Sequence, residues 1–236
     1  MSALHGRRVL ITGISRGIGF ETARLFLAEG AELVGTARDA ARLETARQRL
    51  DPSGSRLSVV AADLADRQAA ARIAAAVEQR WGALDVLFGN AGVQVDGGAR
   101  GFEDGTEAAF DESLAVNLVA PYRLAMALLP ALRRGREPRI VNVSSGAGNF
   151  ESMRSAGIAS YRLSKFALNG FTLLLAAELK GAVAVNAFDP GWVKTDLGGP
   201  QAPGEPRESA QGALAICTLP FAETGKFWKD GKEIPF

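Results

Sequence analysis

The chain has 236 residues, 47% hydrophobic and 22% charged, with a formal net charge of +1. That suits a single α/β domain with a large core and gives no basic field for nucleic acid or a membrane surface. One cysteine, Cys217, excludes an intrachain disulfide. With His5 as the one histidine there is no His/Cys zinc site, and a Ser-His-Asp triad would have to recruit the N-terminal tail.

Apolar and β-branched residues at Arg8 to Thr12 read as a buried strand that runs into the glycine-rich Gly13 to Gly19. Phe20 to Glu29 is helical by period and closes at Gly30. A second strand is expected over Glu32 to Ala37, then a helix over Ala40 to Leu50 ended by the turn Asp51-Pro-Ser-Gly54. Leu57 to Ala61 is a third strand, Arg67 to Trp81 a helix and Val86 to Phe88 a fourth strand leading into Gly89-Asn-Ala-Gly92. A long helix is expected over Phe110 to Leu132, a fifth strand over Arg139 to Ser144, a helix through Tyr161 to Leu179, and a sixth strand over Val183 to Phe188. The ending from Lys226, with a turn at Asp230-Gly231, reads as a last strand on the sheet edge. Alternation of strand and helix predicts a doubly wound parallel sheet of about seven strands, helices on both faces, in one domain over 1–236. Three loops follow strand carboxyl ends, where such sheets bind ligands: 92–105, 146–159 and 191–207.

Four groups of residues carry chemistry. Thr12-Gly-x-x-x-Gly-x-Gly19 lies between a strand and a helix, where glycines allow a tight turn and let backbone approach a pyrophosphate at the helix N-terminus. At the end of the second strand an NAD site wants an acidic residue for the ribose 2′-hydroxyl. This chain has Ala37-Arg38 there, and Arg16 within the glycine loop. Two guanidiniums suit a 2′-phosphate, so NADP(H) is expected over NAD(H). Asp63-Leu64, after the third strand, is placed to meet the adenine, although an Asp there also suits a cap. Finally, Tyr161 and Lys165, four apart, share one helix face. A neighbouring ammonium favours the phenolate and would bring a phenol from ~10 toward working pH, making it a usable acid or base.

Taken together and in order, Thr12-Gly-x-x-x-Gly-x-Gly19, Asp63-Leu64, Asn90-Ala-Gly92, Asn117, Ile140-Val-Asn-Val-Ser-Ser145, Tyr161-x-x-x-Lys165 and Pro190-Gly191 resemble the short-chain dehydrogenase/reductase family along nearly the whole chain. The stretch from Pro190 to Gly199 and the ending from Lys226 look most like its carbonyl-reductase-like branch. The resemblance implies a Rossmann-like fold and a tetrad of Asn117, Ser145, Tyr161 and Lys165. Tyr161 would donate the proton to a carbonyl as hydride arrives from the nicotinamide. Lys165 would lower the Tyr161 pKa and hold the nicotinamide ribose, and Ser145 would bond the substrate oxygen. Ser145 is preferred to Ser144 because family members with a serine pair usually use the second; the interval from Ser145 to Tyr161 is longer than the family's common one. Pro121 cannot donate the helical hydrogen bond to the Asn117 carbonyl, so a kink is expected there, or the start of a second helix. In the family that carbonyl holds a water that relays protons from Lys165. Cofactor contacts are implied for Gly13, Ser15, Arg16, Gly17, Ile18 and Gly19, for Arg38, Asp63 and Leu64, and for Asn90, Ala91 and Gly92. Around the nicotinamide they are implied for Tyr161, Lys165, Pro190, Gly191, Val193 and Thr195. Gly89 stands where the family more often has a second asparagine, and the chain lacks the family's frequent Gly-Gly near the last strand.

The expected activity is NADPH-dependent reduction of a ketone or aldehyde. Two alternatives stay open: a non-catalytic or regulatory dinucleotide-binding protein, and an NAD-dependent alcohol dehydrogenase of the same fold. Phe150, Met153 and Trp192 are candidates for an apolar substrate pocket. Helices apolar nearly all round, Phe110 to Leu132 and Tyr161 to Leu179, suggest a homodimer or homotetramer through a four-helix interface, as the family forms. No apolar run reaches membrane-spanning length with suitable flanks, and Met1 to Arg8 lacks a signal peptide's apolar stretch, so a cytoplasmic location is expected.

Overall fold

The computed structural model describes residues 2–97 and 101–236. Its first half follows the expected alternation: β1 (Arg8–Thr12), α1 (Gly17–Ala28), β2 (Glu32–Ala37), α2 (Ala40–Leu50), β3 (Leu57–Ala61), α3 (Ala69–Trp81) and β4 (Val86–Gly89). The long helix comes as α4 (Glu107–Leu114), a π turn over Ala115–Val119, and α5 (Ala120–Arg133). Then follow β5 (Arg139–Val143), α6 (Ala159–Glu178), β6 (Ala184–Phe188), α7 (Pro206–Cys217), β7 (Phe227–Lys229) and β8 (Lys232–Ile234).

The sheet order is β3-β2-β1-β4-β5-β6-β7-β8. All pairings are parallel except β7 with β8, which the Asp230-Gly231 turn folds back antiparallel. The expected last strand is therefore a hairpin, and the sheet has eight strands rather than about seven. Strand order reverses between β1 and β4, and the crevice beyond their carboxyl ends is where ligands bind in such sheets.

Alternation along the strands builds two cores. Leu10, Leu87, Ile140 and Val185 face α3, α5 and α6 through Ile73, Leu124, Leu128 and Leu179. The intervening Val9, Ile11, Phe88 and Val143 face α1 and α7 through Phe26, Ile216 and Cys217.

Four differences from the sequence reading have physical causes. The helix α7 was not expected. It starts with Pro206 in its first turn and a reciprocal Glu205/Glu208 capping box, and the helix-weakening Gly212 is required because a Cβ there would stand 2.9 Å from the Phe188 ring. The helix α1 starts at Gly17, since glycines carry no apolar signal although their backbone makes the first turn. The kink expected around Pro121 is a π turn: Ala120 N–H bonds the Ala115 carbonyl, and Pro121 sits in the first turn of α5. Finally, Glu107–Arg133 is long and apolar enough to cross a membrane by length and composition, contrary to the sequence reading; here its inner residues belong to the core. Of the expected loop 92–105, residues 98–100 lie outside the described residues.

Candidate active site

The glycine loop is fixed from two sides. Gly13 and Ile14 N–H groups bond the Thr36 carbonyl at the end of β2. From β4, Asn90 Nδ2 donates to the Thr12 carbonyl at 2.9 Å and the Gly13 carbonyl at 3.3 Å, and Ala91 N–H donates to Thr12 Oγ1. A Cβ on Gly19 would overlap the Gly13 carbonyl, so the loop closes this tightly only with glycine. No side chain caps α1, which leaves its first N–H groups facing the crevice.

This loop lines a cavity of about 700 Å³ with Ser15, Arg16, Ile18, Arg38, Asp63, Leu64, Asn90, Ala91, Gly92 and Thr195. Arg38 is exposed and forms no ion pair among the described residues. Its acidic neighbour Asp39 is the N-cap of α2, accepting Arg42 N–H at 3.0 Å, and its Oδ2 stands 3.4 Å from Arg42 Nε. Arg42 joins the same wall, a cation the sequence reading missed although its spacing from Arg38 is one helical turn. Arg16 instead pairs with Asp196. Asp63 braces the following turn through Ala65 N–H rather than capping α3, whose N-cap is Gln68. These are features a bound dinucleotide would use: uncapped helix N–H groups, close backbone and the unpaired Arg38 guanidinium, with Arg16 and Arg42 held by exposed carboxylates.

A second cavity, about 570 Å³, adjoins the first across Ile18, Asn90, Gly92 and Thr195. Ser145, Tyr161, Lys165, Pro190, Gly191, Trp192, Val193 and Leu197 line it. Of the expected apolar pocket only Trp192 is on this wall. Phe150 stacks near Phe166 instead, with ring centroids 6.3 Å apart, and Met153 is half-buried elsewhere. Ile158, Val193 and Leu197 take their places.

The two serines part company. Ser144 is buried and spends its hydroxyl on Asn169 Oδ1 at 2.6 Å. Ser145 Oγ accepts Ala147 N–H at 3.1 Å, and it is Ser145 rather than Ser144 that interacts with the Tyr161 hydroxyl. Asn117 is fully buried. Its side chain clamps Val93 through both N–H and carbonyl at 2.8 Å and donates to Ser164 Oγ, tying the segment after β4 to α6.

Tyr161 and Lys165 lie as the spacing predicted, with Lys165 Nζ 5.8 Å from the Tyr161 ring centroid. The expected pKa effect is corrected. Burial pushes the phenol up to about 12; the interaction with Ser145 works downward and the charge of Asp189 upward. Burial also pulls Lys165 down to about 8, and its Nζ is spent on the Val143 carbonyl at 2.8 Å. Sequence spacing brought the pair together, but it does not report that both groups are dry, and desolvation acts on each before either acts on the other.

Sequence reasoning also missed two carboxylates. Asp96, buried, stands at the N-terminus of α6, where Oδ2 accepts Ser160 N–H at 2.8 Å and Tyr161 N–H at 3.3 Å; no side chain within the helix caps it. Asp189 lies on the wall of the second cavity. Neither sits in a motif, and both are brought in by loops from distant sequence.

A short chain dehydrogenase family model matches residues 7–206. The chain belongs to this family. Among curated members, (+)-neomenthol dehydrogenase of Arabidopsis thaliana is 29% identical, covering 92% of this chain and 93% of that protein. Carbonyl reductase Sniffer of D. melanogaster superposes with a TM-score of 0.87 at 30% identity over 98% of this chain and 100% of that one. A short chain dehydrogenase from Burkholderia cenocepacia, solved in complex with NADP, superposes with a TM-score of 0.85 at 29% identity over 97% and 98% of the two chains. Membership makes the chain an oxidoreductase by family and its doubly wound sheet a family property.

Proposed function

We propose that the chain is an NADPH-dependent reductase of ketones or aldehydes, of carbonyl-reductase type. The observation that carries this is the convergence of Ser145, Tyr161 and Lys165 in one cavity that opens onto the groove of the Gly13 to Gly19 loop. NADPH, when bound, supplies the hydride. The α1 N-terminus and Gly13, Ser15, Gly17 and Gly19 would hold its pyrophosphate, while Arg38, with Arg42, would hold the 2′-phosphate. Tyr161 donates its proton to the carbonyl oxygen, and Ser145 bonds that oxygen as charge develops on it. The high Tyr161 pKa keeps the phenol protonated at neutral pH, the state that reduction requires. Lys165, near its own titration point, replaces the lost proton, with Asn117 holding the packing between them and the segment after β4.

Trp192, Val193 and Leu197 make the substrate wall mostly apolar. Exposed Tyr122, Met126, Phe166, Leu173 and Leu174 on α5 and α6 form the face through which we expect a homodimer. A cytoplasmic location fits a dinucleotide reductase with one free, buried cysteine.

The test is NADPH consumption against a panel of ketones, aldehydes and quinones, beside Tyr161→Phe. Turnover abolished by that substitution, with NADPH binding retained, is the expected result. Tight NADPH binding with no turnover on a broad panel would favour the regulatory reading.

A further inference from the structure

One backbone position in the second cavity breaks the local rules. Ile158, the residue before α6, has φ 47° and ψ 46°, in the left-handed region. Among the described residues only Glu137 and Asp230 share a positive φ without being glycine, and neither is β-branched. A branched side chain is poorly suited to this conformation and adopts it only under constraint. The position is also the N-cap of a helix, where Ser, Thr, Asp or Asn would ordinarily accept one of the first N–H groups. Ile158 has no such acceptor, and no side chain caps α6 from this position.

Neighbouring residues hold the chain there. Asp96 Oδ2 takes the Ser160 and Tyr161 N–H groups at 2.8 and 3.3 Å in place of a local cap. Its Oδ1 stays buried with no hydrogen-bond partner among the described residues. On the loop side, Arg162 Nε donates to the Gly157 carbonyl at 3.0 Å and Nη1 to the Ser152 carbonyl at 2.9 Å, while Arg162 N–H bonds the Ile158 carbonyl at 2.9 Å. Ile158 is thus fixed from both sides, and the orphaned carboxylate oxygen adds to the cost of its strain. Local costs of this kind persist where they serve a site. Ile158 lines the cavity that holds Ser145 and Tyr161, together with the apolar Trp192 and Leu197.

Resting on the reductase reading, we propose that Ile158 is a specificity-determining residue. The strained backbone places a branched apolar side chain in the wall of the substrate cavity, where it selects carbonyl compounds with apolar alkyl or aryl substituents over those that carry hydroxyls. An Asn here would suit both the left-handed backbone and the helix start, and would put an amide into that wall.

The test pairs stability with selectivity. Ile158→Asn should relieve the strain, lowering the unfolding constant in urea about fivefold, without cofactor or substrate present. The ratio of kcat/KM for acetophenone over dihydroxyacetone, with NADPH, should fall by about tenfold or more in the same variant. Ile158→Gly repeats both arms without a polar group, with a smaller gain in stability because glycine frees the unfolded chain. Ile158→Val keeps the branch, so its stability should stay near native and its ratio within about fourfold, the weight of one methylene. The proposal is overturned if neither Asn nor Gly is more stable than the native chain, or if both leave the substrate ratio unchanged. Ligand-observed NMR titration of the same two compounds into the NADP-saturated protein separates this from the reductase reading. A native chain that binds acetophenone in preference, loses that preference in Ile158→Asn and turns over no carbonyl compound sinks the reductase reading and leaves the selectivity of Ile158 standing. Turnover with an unchanged ratio sinks Ile158 alone, and a native chain that binds neither compound overturns the proposal as well.

Discussion

Lys165→Met should stabilise the cofactor-free protein at neutral pH while removing its activity. Lys165 is 3% exposed, and burial lowers its pKa from 10.5 to about 8. At 1.36 kcal/mol per pKa unit, the ammonium is disfavoured in the fold by roughly 3 kcal/mol. The unfolded chain keeps this lysine protonated up to its ordinary value, while the folded chain gives up the proton earlier. Between about pH 8 and 10.5 the unfolded state therefore binds more protons, and native stability rises with pH across that window. Methionine has no such dependence. Its advantage is largest below pH 8 and shrinks by roughly 3 kcal/mol by the top of the window. The Val143 carbonyl, left without the 2.8 Å ammonium bond, offsets some of the gain, on the order of 1–3 kcal/mol, equally at every pH where the lysine is charged. Urea unfolding of both proteins from pH 7 to 10.5 gives the difference directly, because every other titrating group cancels between them. The reasoning fails if the difference is flat across that range, or if methionine gains on the native protein as pH rises. Turnover should fall by ~10²–10⁴, the range for losing a group that supports acid–base catalysis. A functional lysine that destabilises its own fold is the expected signature of a site selected for chemistry.

Other substitutions probe the remaining parts. Gly19→Ala places a Cβ against the Gly13 carbonyl and 2.5 Å from Asn90 Nδ2, so the bonds from Asn90 must open. NADPH affinity by fluorescence titration should drop on the order of 100-fold, the equivalent of two lost hydrogen bonds. Arg38→Asp should weaken NADPH binding by a similar factor and spare NADH, since it removes a phosphate partner and adds a repelling charge; an unchanged NADPH/NADH ratio would place the 2′-phosphate elsewhere. Asp85, fully buried before β4, accepts Arg8 and Arg136 N–H groups and the Arg8 guanidinium. Burial raises its pKa, but these bonds outweigh it and hold the carboxyl below the ordinary value, so the stability it gives is present above about pH 4 and lost as pH falls through the lower folded value. Asp85→Asn should lower unfolding free energy by ~3 kcal/mol in urea without changing turnover per folded molecule, as it sits at the opposite strand ends from the cavity.

The strands and most of the helices were legible because alternation and helical period are local, and a doubly wound sheet buries both strand faces. The bounds of β1, β2, α2 and β3 could be read residue by residue. The motif residues were also legible: glycines needed for close approach, and Tyr161 and Lys165 on one helix face, are positional requirements written into spacing. The helix α7 was hidden because Gly212 answers to the Phe188 ring, a neighbour from another strand, and Phe150 turned to Phe166 rather than the cavity for the same kind of reason. The electrostatics of the site were beyond the sequence altogether. Spacing placed Lys165 beside Tyr161, but only the tertiary structure decided that both are buried, that Lys165 is spent on Val143, and that Asp189 and Lys229 stand on the same wall. A pKa depends on desolvation and on charges summed in three dimensions, and neither quantity has a period along the chain.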